Sequence, residues 1–161
     1  MDASLLAALA RELGPGFRTD AAGRDAAATD DSGLLFRPDA VFFPKDADEI
    51  SRLMRLAHTH GFPVTPRGAG TGLCGGCLPA RGGVAVATTA MDRIRAIDTV
   101  DGVAVVEPGV VTKALRDAAA AKGLFYPPDP ASYATCTLGG NAATNAGGPA
   151  CVKYGVTRDY V

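Results

Sequence analysis

The chain has 161 residues, of which 47% are hydrophobic and 20% are charged, and its formal net charge is −1. This composition excludes a disordered chain, and without a basic surplus we expect no nucleic-acid partner. No apolar run approaches the roughly 20 residues of a membrane-spanning helix, no secretory signal pattern opens the chain, and four cysteines fit a reducing compartment, so we expect a cytoplasmic protein.

The first half of the chain predicts helices and strands in alternation. Residues 2–13 indicate an amphipathic helix, and residues 17–40 a polar surface crossing. A strand at 41–43 precedes a helix that Asp46 caps, with Glu49 as its capping-box partner, and that Gly61 ends. A second strand follows at 62–66. Strands that alternate with helices favour an α/β unit with parallel pairing.

The second half predicts strands at 83–88, 93–99 and 102–107, the second with alternating faces. A helix that Thr112 caps and Gly123 ends follows them. Residues 153–161 indicate the approach to a further strand. Since a terminus inside an apolar pattern leaves a face or edge uncovered, we expect a fragment of a longer polypeptide.

A glycine-rich stretch at 66–73, PRGAGTGL, is the first candidate ligand site. Glycines let backbone approach a ligand, and successive N–H groups bind anions such as pyrophosphate. Arg67 would add positive charge and Thr71 a hydroxyl. The pattern from Gly70 to Gly75 also matches G-x-G-x-x-G, but residues 75–79 (GGCLP) cannot begin a helix, which excludes a Rossmann fingerprint. Taken alone, the stretch is as consistent with an irregular turn.

A second stretch, at 127–148, favours the ligand site. Its PPDP segment is rigid and extended, because a residue before proline is pushed out of the helical region. Gly139 and Gly140 would let backbone come close to a flat ligand. Hydroxyl and amide groups that could contact a ring or a phosphate come from Ser132, Thr137, Asn141, Thr144 and Asn145. The alternative is a glycine-rich connection with polar surface residues.

Metal and thiol chemistry are weaker interpretations of the cysteines. Cys74 and Cys77 form a C-x-x-C pair, but a structural zinc site needs four ligands and neither a second pair nor suitable histidines accompany it. We expect small buried thiols that line a loop, and no metal. His58 and His60 lie near a helix end and do not share a face. No nucleophile stands beside a base, so we assign no catalytic residue.

Three runs resemble a known family in order and spacing: PVTPRGAGTGLCGGCLP, VVEPGVVTKALRDAAAAKGLFYPPDPAS and TCTLGGNAATNAGGPACVKYGVTRDYV. They are similar to the FAD-binding domain of vanillyl-alcohol-oxidase-type (PCMH-type) flavoproteins, in the glycolate oxidase and D-lactate dehydrogenase branch. The resemblance covers residues 38–161, after an N-terminal segment 1–37. It implies an α+β fold made of α/β subdomains, with the first subdomain and the start of the second in this chain.

The resemblance implies that FAD lies between two subdomains, with residues 66–73 as the pyrophosphate loop. No His or Cys stands where covalently flavinylated relatives attach FAD, so we expect non-covalent binding. The expected cofactor-binding residues are Pro66, Arg67, Gly68, Ala69, Gly70, Thr71, Gly72, Leu73, Pro130, Ala131, Ser132, Thr137, Gly139, Gly140, Asn141, Thr144, Asn145, Ala146 and Gly147.

Full-length members of this family oxidise a D-2-hydroxy acid by hydride transfer to the flavin and pass electrons to a quinone or another acceptor. They carry a C-terminal substrate domain with histidine-rich elements, so we expect little or no turnover from the 161-residue chain. Further expectations are partner proteins in a complex, or peripheral membrane association through an electron acceptor.

Three alternatives stay open. The chain could belong to a family member with another substrate, such as an alkyl-phosphate synthase or an aromatic-alcohol oxidase. It could be a truncated, non-catalytic remnant that binds FAD weakly or not at all. A small metal or thiol-redox module built on Cys74 and Cys77 is the third.

Overall fold

The computed structural model describes residues 1–161, which fold as two units, Met1–Ala90 and Met91–Val161. The strands are β1 (Phe17–Arg18), β2 (Ala40–Phe42), β3 (Val64–Arg67), β4 (Val84–Ala87), β5 (Ile94–Asp98) and β6 (Val103–Val106). The helices are α1 (Ala3–Leu13), α2 (Ala21–Ala26), α3 (Ala47–His60), α4 (Thr112–Ala120), α5 (Leu138–Thr144) and α6 (Cys151–Tyr154). None of these helices combines the length and the hydropathy that a membrane span requires.

The first unit is built on a four-stranded sheet in the order β1-β2-β4-β3. β4 pairs in parallel with both β2 and β3, which confirms the predicted parallel pairing, and β1 is antiparallel to β2. All seven residues of β2 and β4 are buried. Strands covered on both faces need such continuous apolar runs. One face packs against Leu9 of α1 and Leu53 of α3, and the other against Ala27.

Local signals in the sequence locate α3 correctly. The Asp46 carboxylate accepts a hydrogen bond from the Glu49 N–H at 2.9 Å, and the Glu49 carboxylate accepts one from the Lys45 N–H at 2.8 Å. The helix ends where Gly61 adopts a φ of +69° and its N–H donates to the Ala57 carbonyl oxygen at 2.8 Å. Both ends of a helix leave backbone groups without partners, and these contacts satisfy several of them.

The expectation of a surface crossing at residues 17–40 is correct only in part, because most of these residues are exposed but the segment also contains β1, α2 and several buried side chains. Phe17 of β1 pairs with Phe42 and is 5% exposed. The helix α2 begins after Asp20, whose carboxylate accepts the Gly23 N–H at 2.9 Å, and Ala27 is buried on the sheet. Alanine side chains pack close to a sheet without producing a clear apolar period, and the period is the signal from which elements are predicted.

The second unit begins with the antiparallel hairpin of β5 and β6. Ile94 and Ile97 both pack against the buried cluster of Val110, Leu115 and Leu138. Residues three apart on a regular strand point to opposite faces. The register shift between Ile94 and Ala96 brings both isoleucines to one face, because a bulge adds one residue to the strand. The predicted alternation along 93–99 therefore fails at this point.

Two other predictions for the second unit are wrong. Thr112 is the first helical residue of α4, Val111 precedes it, and the Thr112 hydroxyl makes no cap. Residues 153–161 form no strand. They contain the end of α6 and a 3₁₀ turn at Thr157–Tyr160. Thr157 is buried, and its hydroxyl and N–H donate to the Ala146 carbonyl oxygen at 2.7 and 3.0 Å, which fixes this segment against the rest of the unit.

Candidate functional site

The loop at 66–73 lies at the carboxyl edge of the parallel strands of the first unit, because it continues directly from β3. Ligands of open α/β sheets bind at this edge. A cavity of about 170 Å³ opens there. Its lining includes a residue beyond the end of each parallel strand, Phe43 after β2, Gly68 after β3 and Thr89 after β4.

The backbone of this loop offers unused hydrogen-bond donors. The N–H groups of residues 69–73 donate no hydrogen bond within the chain, and the Thr71 hydroxyl has no partner in it. Leu73 is 74% exposed, and a Cβ added to Gly72 would meet no atom within 4 Å. Successive free N–H groups in a turn bind anions. This donor set fits the pyrophosphate of a dinucleotide.

Arg67 lies beneath the loop with its guanidinium bonded to protein atoms. Its Nη2 donates to the carbonyl oxygens of Thr29 and Ala26, at 2.8 and 3.3 Å. Its Nη1 donates to the Cys77 Sγ at 3.4 Å. The sequence analysis expects the positive charge of Arg67 close to a bound anion. In the structure this guanidinium lies behind the loop backbone.

In the second unit four of the expected site residues, Gly139, Gly140, Asn141 and Thr144, belong to α5, which the sequence analysis did not expect to be helical. The Leu138 N–H donates to the Val110 carbonyl oxygen at 2.9 Å, and the Gly139 N–H donates to that of Pro108 at 2.8 Å. A Cβ on Gly139 would lie 2.6 Å from the Pro108 Cβ. Close packing between helix and loop therefore requires glycine at 139.

Three polar side chains of the expected site are engaged inside the chain. The Asn141 Nδ2 donates to the Thr112 Oγ1 at 2.7 Å, and both residues are buried. The Thr144 hydroxyl donates to the Gly140 carbonyl oxygen at 3.0 Å. Asn145 ends α5 with a φ of +51°, and its Oδ1 accepts the Arg158 N–H at 3.0 Å. These side chains hold α5 and the C-terminal segment in place.

Thr137 differs from these three residues, because its hydroxyl is buried and has no partner in the chain. It is 2% exposed, and its Oγ1 is the one buried side-chain polar atom of the chain without a hydrogen-bond partner. A buried hydroxyl without a partner costs about 1–3 kcal/mol. A ligand atom that bonded to it would remove this penalty, which fits the place of Thr137 in the expected cofactor-binding set.

Residues 130–132 form a turn beside a larger cavity. The carbonyl oxygen of Pro130 accepts the Tyr133 N–H, and that of Ser132 accepts the Cys136 N–H, both at 2.8 Å. Pro130 and Ala131 help to line a cavity of about 510 Å³, together with Arg116 of α4. The remaining expected residues, Ala146 and Gly147, follow α5 and lie next to Thr157 and Cys151, respectively.

Glu107 is a buried ionic residue that the sequence analysis missed. Its carboxylate is 3% exposed and accepts hydrogen bonds from the backbone and guanidinium of Arg93 and from the Arg95 guanidinium, at 2.7–3.1 Å. These bonds, those of Arg93 first, lower the pKa of Glu107 from 4.5 to about 2. The sequence indicates this ion pair only through the opposite charges of Arg93 and Glu107, which lie at the two open ends of a predicted hairpin.

The cysteines differ from one another. Cys74 is exposed, so the expectation that both thiols of the C-x-x-C pair are buried is wrong for it, and Cys77 is half-buried. Residues 75–79 contain no helix, as predicted. The structure contains no group of three or more His, Cys, Asp or Glu side chains that could hold a metal ion.

Comparisons with known proteins identify relatives of this chain. Residues 38–161 match a family model described as an FAD binding domain. The chain is 49% identical over 124 residues to the glycolate oxidase subunit GlcD of Bacillus subtilis, covering 77% of this chain and 26% of that protein. It is 42% identical over 125 residues to the D-lactate dehydrogenase of Anaerostipes hadrus, covering 78% and 26%, respectively. The chain thus spans about a quarter of the length of these relatives.

Solved structures support the fold class. The structure of an alkyldihydroxyacetonephosphate synthase matches 99% of this chain and 33% of its own with a TM-score of 0.85, at 23% identity. Together with the family match, this likeness confirms the predicted PCMH-type fold of mixed α and β structure.

Proposed function

The chain belongs to the FAD binding domain family, whose cofactor is FAD, and from this premise we propose that it is the FAD-binding part of an oxidoreductase that oxidises a D-2-hydroxy acid. Two relatives support the substrate class, because they are named for glycolate and D-lactate, which are both 2-hydroxy acids. FAD supplies the acceptor for a hydride from the substrate carbon. The residues of this chain bind and orient it.

The free N–H groups of residues 69–73 carry the proposal. They receive the pyrophosphate, and the Thr71 hydroxyl adds a donor. Of the remaining residues of the expected set, Arg67 lies behind the loop backbone with its guanidinium bonded to protein atoms. The others contact FAD from their own units: Pro66 and Gly68 in the first, and Pro130, Ala131, Ser132, Thr137, Gly139, Gly140, Asn141, Thr144, Asn145, Ala146 and Gly147 in the second. Binding is non-covalent.

Titration of the chain with FAD tests this function. The variant Gly72→Ala adds a methyl group to open space, so the fold is retained while the methyl group obstructs an approaching phosphate. We expect a loss of affinity of about tenfold, which equals about 1.4 kcal/mol. Gly76→Ala also adds its methyl group to open space and lies outside the loop, which makes it the matched control.

Two results would contradict the proposal. Equal FAD affinity of Gly72→Ala and the unaltered chain would exclude the 66–73 loop as the phosphate site. Failure of the unaltered, folded chain to bind FAD would favour a non-catalytic remnant.

The substrate class requires a second experiment. We propose that the groups that bind the acid and remove its hydroxyl proton lie in further sequence, because the chain spans 26% of each relative. The 161-residue chain with FAD should then give no dye reduction with D-lactate or glycolate. The same chain joined to a substrate domain should reduce the dye with D-lactate and not with L-lactate. Equal reduction by both would contradict the substrate class.

We further propose a cytoplasmic location, with partner proteins in a complex and a quinone or another electron carrier as the acceptor. The four free cysteines support the location, because a reducing compartment keeps thiols unpaired.

A further inference from the structure

Three segments of the first unit meet at the guanidinium of Arg67. One is the end of α2 and the residues after it, whose carbonyl oxygens at Ala26 and Thr29 accept from Nη2. The second is the segment that carries Cys77, whose sulfur accepts from Nη1. The third is the 66–73 loop itself. A planar guanidinium with five fixed donors can serve several acceptors at once.

A buried carboxylate, that of Asp30, lies on the other side of Cys77 from the Arg67 guanidinium. Asp30 is 9% exposed, and the Cys77 thiol donates to its Oδ2 at 3.8 Å. The hydrogen bond from the Ser32 hydroxyl is the main reason that the pKa of Asp30 is lowered, and burial raises the pKa of the Cys77 thiol. The carboxylate is therefore charged and the thiol protonated at neutral pH. Cys77 links the guanidinium to the carboxylate through two hydrogen bonds.

The loop backbone lies directly against this guanidinium. Gly70 adopts a φ of +77°, and a Cβ there would lie 2.1 Å from the Arg67 Nη2 and 2.7 Å from its Cζ. Because three acceptors hold the guanidinium, it cannot move aside at low cost. The path of the loop at Gly70 therefore depends on where Arg67 is held.

We propose that Arg67 is a positioning residue, which, held by Thr29, Ala26 and Cys77, keeps the N–H groups of residues 69–73 in the arrangement that receives the pyrophosphate. The inference rests on the FAD-binding function proposed above. It gives Cys77 and Asp30 an indirect part in the same site. The phosphate contacts come from the loop backbone, and Arg67 acts through that backbone.

A comparison of Arg67→Lys with Arg67→Gln distinguishes a positioning role of Arg67 from a direct electrostatic contact with the phosphate. Lysine keeps the positive charge, but its single ammonium group cannot reproduce the planar set of bonds to two carbonyl oxygens and a sulfur. If Arg67 acted only by charge, Arg67→Lys would retain most of the FAD affinity and Arg67→Gln would lose it. If Arg67 acts by position, both variants lose affinity to a similar extent.

The experiment compares FAD affinity and the ¹H–¹⁵N amide spectrum of the FAD-free chain. We expect Arg67→Lys and Arg67→Gln each to weaken FAD binding about tenfold and to shift the amide resonances of residues 69–73 before any FAD is added. Cys77→Ala should shift the same resonances and weaken binding by a smaller factor, about threefold. Cys74→Ala is the matched control, because Cys74 is exposed and has no hydrogen-bond partner. It should leave the FAD affinity and the amide resonances of residues 69–71 unchanged, while the resonances of its direct neighbours shift through proximity in sequence alone.

The two proposals fail in different ways. If the unaltered chain binds no FAD, the proposed function is wrong. If Arg67→Lys keeps the affinity and the loop resonances of the unaltered chain, the positioning role is wrong. If the Arg67 variants do not fold, the Cys77→Ala variant tests the positioning role instead. Unchanged amide resonances of residues 69–73 in that variant would overturn the inference.

Discussion

Gly139 and Pro108 are joined by a backbone hydrogen bond and by close van der Waals packing. The Gly139 N–H donates to the Pro108 carbonyl oxygen at 2.8 Å, and a Cβ on Gly139 would lie 2.6 Å from the Pro108 Cβ. This contact seats the first turn of α5 on the segment that follows β6. Glycine at 139 thus has a structural cause, whichever ligand the second unit binds.

The variant Gly139→Ala should destabilise the chain. The added methyl group overlaps Pro108, so α5 or the Pro108 segment must shift, and overpacking of this kind costs about 1–3 kcal/mol. The midpoint of urea unfolding measures the loss. Gly76→Ala, which adds its methyl group to open space, should leave the midpoint nearly unchanged. Equal midpoints for the two variants would show that the Pro108 segment adjusts freely.

Glu107 predicts how stability depends on pH. Its pKa falls from 4.5 to about 2 on folding, because Arg93 and Arg95 bind the charged carboxylate. A lowered pKa stabilises the folded state above pH 4.5, and this contribution disappears as the pH falls toward 2. Glu107→Gln should therefore be less stable than the unaltered chain near neutral pH, and the difference should shrink across that window.

Urea unfolding at a series of pH values measures this difference. Asp98→Asn serves as a comparison, since Asp98 is held by backbone N–H groups in the hairpin turn and not by arginines. A constant difference between Glu107→Gln and the unaltered chain at all pH values would contradict the prediction.

The hydrogen bond between Asn141 and Thr112 predicts the effect of an isosteric change. Thr112→Val keeps the shape of the side chain and removes the acceptor of the Asn141 Nδ2. A buried amide left without its partner costs about 1–3 kcal/mol. Thr112→Ser keeps the hydroxyl and loses a methyl group. The free energy of unfolding should fall more for the valine variant, and the reverse order would contradict a role for the hydrogen bond.

The cap of α3 gives a prediction on a helix remote from the loop. Asp46→Ala removes the acceptor of the Glu49 N–H, and loss of such a cap costs about 1 kcal/mol. Asp48→Ala changes an acidic residue of the same first turn that makes no cap bond, so a smaller loss is expected. The midpoint of thermal unfolding of each variant measures the loss of stability. An equal decrease in both variants would attribute the loss to the removed charge and not to the removed cap.

Family and cofactor follow from residues that are close in sequence. The 66–73 stretch, the PPDP segment and the glycine-rich run after residue 136 indicate the FAD binding domain without any structure, and the family match confirms the family and its cofactor. The small-residue segments were harder to predict. Neither α2 nor α5 has an apolar period, so the pattern that locates a helix is missing in both. In the structure Ala27, directly after α2, is buried on the sheet, and α5 packs on the Pro108 segment.

Elements with local signals could be located from the amino-acid sequence, as the cap and stop of α3 and the apolar runs of β2 and β4 demonstrate. Propensity, capping and strand periodicity act over a few residues, so they can be recognised in the chain. The contacts of Arg67 and Asn141 depend instead on tertiary packing. Their partners Thr29 and Thr112 lie 38 and 29 residues away, and hydrogen bonds over such separations exist only once the packed units bring the groups within reach.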